Sequence, residues 1–183
     1  MEETIKELEI SKPSIGARAF VEYKITEKSI LGFAIAYDNN GERTKKIDLI
    51  PPQSILDPLL PSQTRNIYNH HNLILPVYYK YKFNKMFYVS SGLGAVYNIS
   101  NTSTSISFYS DGSKQRSTQN DDITTYRKVN FFLDAGFGMC IFSDKKISVF
   151  LEPKCRYTFL GVSKTAPLNR NYFSVGISAG IIF

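Results

Sequence analysis

The chain has 183 residues, about one domain, of which 43% are hydrophobic, with 12 Tyr, 13 Phe and no Trp. That is too apolar for a disordered chain, and 11 Gly with 8 Pro is too few for collagen-like or low-complexity sequence. The net charge of +6 comes from scattered cations (Arg43, Lys45 and Lys46; Lys80, Lys82 and Lys85; Lys145 and Lys146), none dense enough for a nucleic-acid stripe. The longest stretch free of charged, amide, hydroxyl, His and Pro residues is Ala135–Phe142, far short of the ~20 residues that a membrane-spanning helix needs. Strands are not excluded as a means of crossing, because an alternating strand averages to near-neutral hydropathy.

The first ten residues carry acidic charge where a secretory signal needs a basic start and an apolar core. Residues 1–13 therefore read as an N-terminal extension or a degraded first strand, and 14–183 as one domain. From Ile15 onward the pattern is alternation with almost no helical period. Ile15, Ala17, Ala19, Val21, Tyr23 and Ile25 oppose Gly16, Arg18, Phe20, Glu22 and Lys24. Leu31 to Tyr37 follows with small residues between its apolar ones, and Leu73 to Phe83 sets Leu75, Val77, Tyr79 and Tyr81 against Ile74, Tyr78, Lys80 and Lys82. Phe87–Ile99 and Val129–Ile141 alternate bulky residues with Gly, Ser and Asp134. Ile147–Phe159 opposes Glu152, Lys154 and Arg156, and Phe173–Phe183 closes the series of seven segments.

Each apolar face runs over roughly 9–13 residues, where a tilted membrane strand needs about 9–11. The opposite faces mix small residues with charges of both signs, as the inside of a narrow closed barrel would, where charges must pair to offset desolvation. The connections decide between this and a water-facing sandwich. Thr26–Ser29, Asn84–Lys85 and Ser143–Lys146 are tight turns, while 39–70, 100–126 and 160–171 are long, and the two kinds alternate. That is the asymmetry of an outer-membrane barrel, with short periplasmic turns and long external loops. The Ser, Thr, Asn and Asp of 100–126 predict a solvated, mobile loop. A closed antiparallel barrel has an even number of strands, so eight are expected where seven are visible. Residues 4–10 could supply a short eighth strand, but Lys6, Glu7 and Glu9 leave no clean apolar face, so the missing strand and a signal peptide are expected upstream of this numbering.

Four stretches, Asn72–Tyr81, Tyr88–Ala95, Asp134–Gly138 and Leu151–Tyr157, with the closing Phe173–Phe183, resemble the small outer-membrane β-barrel domain proteins of Gram-negative bacteria, the porin-family, OmpX- and OmpA-like barrels. The likeness covers roughly residues 14–183. It implies an all-β, antiparallel up-and-down transmembrane barrel in the bacterial outer membrane. It also implies that Phe173, Ile177, Ile181 and Phe183 form the C-terminal signal read by the outer-membrane assembly machinery, although Gly176 and Gly180 with Ser178 between them depart from the usual signal.

The candidate residues fall into groups. Arg18, Glu22, Lys80, Asp134, Glu152, Lys154 and Arg156 share the charged phase and are expected to form a lumenal ion-pair network in preference to an ion or proton pathway. Tyr37, Tyr79, Tyr81, Tyr97, Tyr157 and Phe159 lie on the apolar phase, where an aromatic girdle at the membrane interface keeps Tyr hydroxyls wet. His70-His71, at the mouth of the third segment, is the strongest catalytic candidate, since a rim His with Ser and an acid could transfer acyl chains. Neighbouring residues on a strand face opposite ways, however, so the two histidines cannot share a metal without an irregular backbone, and a rim His is most often solvated or interfacial. Asn120-Asp121-Asp122 reads as a loop turn before a cation site. Cys140 and Cys155 have opposite phases, so no disulfide is expected between them. No GxSxG, HExxH or phosphate loop occurs. The expectation is a non-enzymatic protein without catalytic residues, cofactor or metal. Its expected partners are outer-membrane lipids, the assembly machinery and an extracellular partner of the loops. A lipid-modifying enzyme and a soluble lipocalin-like ligand-binding barrel are the alternatives.

Overall fold

A computed structural model describes residues 9–11, 15–49, 60–120, 127–143, 148–160 and 173–182. All regular structure among them is strand: β1 (Glu9–Ser11), β2 (Ile15–Lys24), β3 (Ser29–Thr44), β4 (Ile47–Asp48), β5 (Gln63–Lys82), β6 (Phe87–Phe108), β7 (Lys114–Asn120), β8 (Val129–Ser143), β9 (Ser148–Thr158) and β10 (Phe173–Ile182). They form a single sheet in the order β1-β3-β5-β6-β8-β9-β10, with β2 beside β3, β4 beside β5 and β7 beside β6. Consecutive long strands are antiparallel neighbours wherever their register is resolved, as for β6 with β8, β8 with β9 and β9 with β10. β1 pairs with β3 through Glu9 opposite Thr44, and β2 also pairs with β3. Of the eighth strand considered for residues 4–10, Glu9 and Ile10 lie in β1, which pairs with β3 as β2 does. Residues 4–8 lie outside the described residues.

The short turns are held by side chains. Thr26 Oγ1 accepts the Ser29 amide at 3.0 Å, and Ile25 N donates to Ser29 O at 2.9 Å. Asn84 Oδ1 accepts both the Met86 and Phe87 amides at 2.8 Å. Ser, Thr and Asn at such positions replace missing backbone partners, which is why these residues start tight turns. The third turn lies largely outside the described residues.

Two compact units emerge: a loop unit of Met1–Gly16, Asp38–Asn72 and Ile99–Ile123, and a wall unit of Ala17–Tyr37, Leu73–Asn98 and Thr124–Phe183. In the wall unit the phases agree with the sequence. Leu75, Val77, Tyr79 and Tyr81 of β5 are exposed, while Ile74, Tyr78 and Lys80 are buried. The loop unit corrects the expected loops. Segment 39–70 begins and ends in strand, since β3 runs to Thr44 and β5 starts at Gln63. Much of 100–126 is likewise an ordered hairpin, with Thr102 to Phe108 of β6 paired to Lys114–Asn120 of β7. Its tip, Tyr109–Ser113, closes through Tyr109 N to Ser113 O at 3.1 Å, with Gly112 at φ 83°, a conformation glycine adopts without strain. The sequence signal failed because both faces of these extensions are polar, so hydropathy cannot alternate even though the backbone pairs.

Candidate functional site

The buried face of the wall unit is built from charges set among aromatic rings. Lys80 is ion-paired to Glu22, and Tyr78 donates its hydroxyl to the same carboxylate at 3.0 Å. The Lys80 ammonium also sits 4.8 Å from the Tyr88 ring centroid, 5.3 Å from Phe150 and from Tyr78, and 5.7 Å from Phe20. Four ring faces around one cation supply quadrupole attraction in place of lost water. Glu152, 1% exposed, accepts Ser90 Oγ at 2.5 Å and the Tyr88 hydroxyl at 3.3 Å, with Lys154 Nζ 3.5 Å away. Asp134 meets Arg156 at 3.5 Å, and that guanidinium lies 4.3 Å from the Phe132 centroid. Arg18 stacks 4.4 Å from the Tyr78 centroid and 5.6 Å from Phe20.

Space for these rings comes from glycine. A Cβ on Gly32 would overlap the Tyr78 ring, and one on Gly138 would overlap the Tyr88 ring. Ring on glycine is thus the local packing rule, and it explains why the charged faces carry so many small residues. The rings also tie distant strands together: Phe20 of β2 meets Phe150 of β9 edge to face at 5.9 Å. All seven residues expected in the lumenal network lie on this face. Sequence reasoning missed the aromatic half: Phe20, Tyr78, Tyr88, Phe132 and Phe150 share the charges' phase but were not recognised as their packing partners. That shared phase was the available signal.

The loop unit holds a different cluster, neutral and rich in amides. His70 Nδ1 lies 2.7 Å from Asn101 Oδ1. Asn72 Nδ2 donates to Asn40 Oδ1 at 3.0 Å and to His70 O at 3.3 Å. Asn69 donates to Thr102 at 3.2 Å, and Ser105 donates to Asn66 at 2.9 Å. Thr104 and Thr118 link β6 to β7 at 3.0 Å. The expectation of a solvated rim histidine is corrected for His70, which is 4% exposed. Its position in chain is at the mouth, but its phase is that of buried Asn72 and Ile74. Asn98 and Asn101 are both buried although strict alternation places them on opposite faces, so the two-residue period is broken between them.

The remaining candidates divide as follows. Tyr37, Tyr79, Tyr81, Tyr97, Tyr157 and Phe159 all lie exposed, Tyr79 and Tyr81 towards the short turns and Tyr97 and Tyr157 towards the loop-bearing ends of their strands. Ser29 Oγ and the Tyr79 hydroxyl are 2.8 Å apart. Phe173, Ile177 and Ile181 line one exposed face of β10, with Ile177 74% exposed; Phe183 is outside the described residues. Asp121 and Asp122 of the Asn120-Asp121-Asp122 turn lie outside them too. Both cysteines are free thiols, Cys155 Sγ lying 3.6 Å from Ala135 O. At the hairpin tip the Ser113 amide donates to Asp111 at 2.8 Å, and the hydrogen bonds from Ser113 hold that carboxyl below the usual carboxylate range. Among the described residues no three His, Cys, Asp or Glu side chains are grouped to hold a metal.

Two observations thus converge on a strand-built wall: an exposed apolar face over a buried charged one, and meander order. A family model described as an outer membrane protein β-barrel domain matches residues 3–166, a span that takes in β1 to β9 and stops short of β10. No curated protein matches the sequence.

Proposed function

Because the chain belongs to the outer membrane β-barrel domain family and resides in the bacterial outer membrane, we propose that it is a non-enzymatic barrel whose strand-built loop unit engages an extracellular partner. Its residues also meet outer-membrane lipids through the exposed aromatics and the assembly machinery through β10. The observation that carries this reading is the polar extension of β3, β5 and β6 beyond the apolar faces, ending in the paired β6–β7 hairpin. Ordered strands with polar side chains on both faces make a presentation surface that costs little conformational entropy on binding.

The enzyme alternative draws no support from His70, whose Nδ1 is engaged by a neutral amide. A soluble ligand carrier of lipocalin type would need an apolar interior, whereas this buried face carries Lys80, Asp134 and Glu152. The test compares cells producing the protein with cells producing His70→Ala/His71→Ala. Identical lipid A and phospholipid acyl profiles in producing, variant and empty cells support the reading. An acyl change that needs the histidines overturns it. Replacing Tyr109–Ser113 by a short Gly-Ser turn should leave heat-modifiable gel migration intact and abolish surface attachment conferred by the protein.

A further inference from the structure

Two cations of the loop unit converge on one ring. Lys46, in the connection between β3 and β4, places its ammonium 4.4 Å from the Phe108 centroid, and Lys114, the first residue of β7, places its own at 5.8 Å. The ring is held where it is. Lys114 stands opposite Phe108 in the β6–β7 ladder, and Phe108 O accepts the Ser62 amide at 2.8 Å and the Ser62 hydroxyl at 3.1 Å. Arg116, opposite Ile106, follows Lys114 on the same phase, about 7 Å along the strand. Among the described residues neither lysine has an ion-pair partner. Nearby carboxylates are engaged locally, Asp48 by Gln63 at 2.7 Å and Asp111 by the Ser113 amide at 2.8 Å. The ring thus gathers like charges that no carboxylate compensates, and a polyanion can meet more than one of them at once.

We propose that Lys46, Lys114 and Arg116 bind an acidic polysaccharide. This names the chemistry of the loop unit's partner and rests on the reading that the unit engages one. Clustered exposed cations complement a polyanion, and the rest of the surface selects which kind. β7, Lys-Gln-Arg-Ser-Thr-Gln-Asn, is exposed throughout and carries no apolar side chain, whereas a protein partner is ordinarily anchored by aromatic or aliphatic residues in pockets. Nucleic-acid bases stack on open aromatic faces, and here the ring is taken up by its two ammonium groups. The exposed hydroxyl and amides of Ser117, Gln119 and Asn120 both donate and accept, as sugar hydroxyls require.

Dextran sulfate is the probe, titrated calorimetrically into detergent-refolded protein, with unsubstituted dextran and polyglutamate in parallel. Saturable binding of dextran sulfate alone is expected, weakening as salt is raised. Lys46→Gln/Lys114→Gln should weaken it about tenfold, the size of a lost charge-assisted contact, while Lys46→Arg/Lys114→Arg retains it. Phe108→Leu keeps the bulk but not the ring that gathers the cations, and should weaken binding about threefold. Lys28→Gln/Lys85→Gln removes the same charge from the short turns and should leave binding unchanged. Heat-modifiable migration checks that each variant is folded. Absence of binding, equal affinity for polyglutamate or dextran, or equal loss in the two glutamine pairs overturns the proposal. If it is overturned while replacement of Tyr109–Ser113 still abolishes surface attachment, the loop unit has a partner of another chemistry; attachment that survives the replacement overturns the broader reading instead.

Discussion

The two units solve the same problem, burying polar groups in strands, by opposite means. The wall unit buries full charges and supports them with rings: Lys80 is paired to Glu22 within reach of Phe20, Tyr78, Tyr88 and Phe150. The loop unit buries neutral amides, hydroxyls and one imidazole that satisfy one another, as His70 with Asn101 and Asn72 with Asn40. The difference teaches where each kind of polarity is tolerated. A charge removed from water is costly and holds only with a counter-charge and hydrogen bonds, so a partner lost there leaves a large deficit. An amide network is cheaper to build and cheaper to damage.

The sharpest break of this contrast is Glu152→Ala. It strands Lys154 and removes the acceptor of Ser90 and Tyr88, and should cost about 3–5 kcal/mol, read from urea unfolding of the folded, lipid-reconstituted protein. An effect below that of any loop-unit variant would reverse the comparison. Next comes Gly138→Val, whose side chain must displace the Tyr88 ring; about 1–3 kcal/mol is expected from overpacking, and Tyr88→Ala in the same chain should relieve part of it.

In the loop unit, His70→Ala and Asn101→Ala should each cost about 0.5–1.5 kcal/mol, with the double variant costing less than the sum. Additive losses in that cycle would show that the two side chains do not depend on one another. The smallest effect belongs to Asp111, whose carboxyl is held low by Ser113. A depressed acid stabilises its turn above its unfolded value and loses that contribution as pH falls through the folded one. Acidification should therefore lower the protection factor of the Ser113 amide, its exchange measured against the intrinsic rate at each pH, and Asp111→Ala should abolish that loss while leaving the wall unit's protection unchanged.

Much of this contrast was legible in the order of residues. Exposed Leu75, Val77 and Tyr79 against buried Tyr78 and Lys80 follow directly from a period of two, because one side of that sheet is apolar and the other is not. The loop unit was illegible for the complementary reason. From Gln63 to His71 neither face is apolar, so the pairing that makes this stretch strand leaves no trace in hydropathy. The ring-and-cation packing lay in between: the phase of Phe20, Tyr78, Tyr88, Phe132 and Phe150 was readable, but which ring meets which cation depends on inter-strand register.

The side-chain clasps at Thr26 and Asn84 carry a consequence for assembly. Each closes a hairpin from residues only a few positions apart, so the alignment it sets depends on no distant segment. The alternation leaves no margin for error in that step. A slip of one residue at Asn84 would exchange the two faces of β5 relative to its neighbours, presenting Lys80 to hydrocarbon and Tyr79 to the charges. These two small turns thus act as a reading frame for the membrane, and an insertion in a long surface connection is absorbed while one here is not.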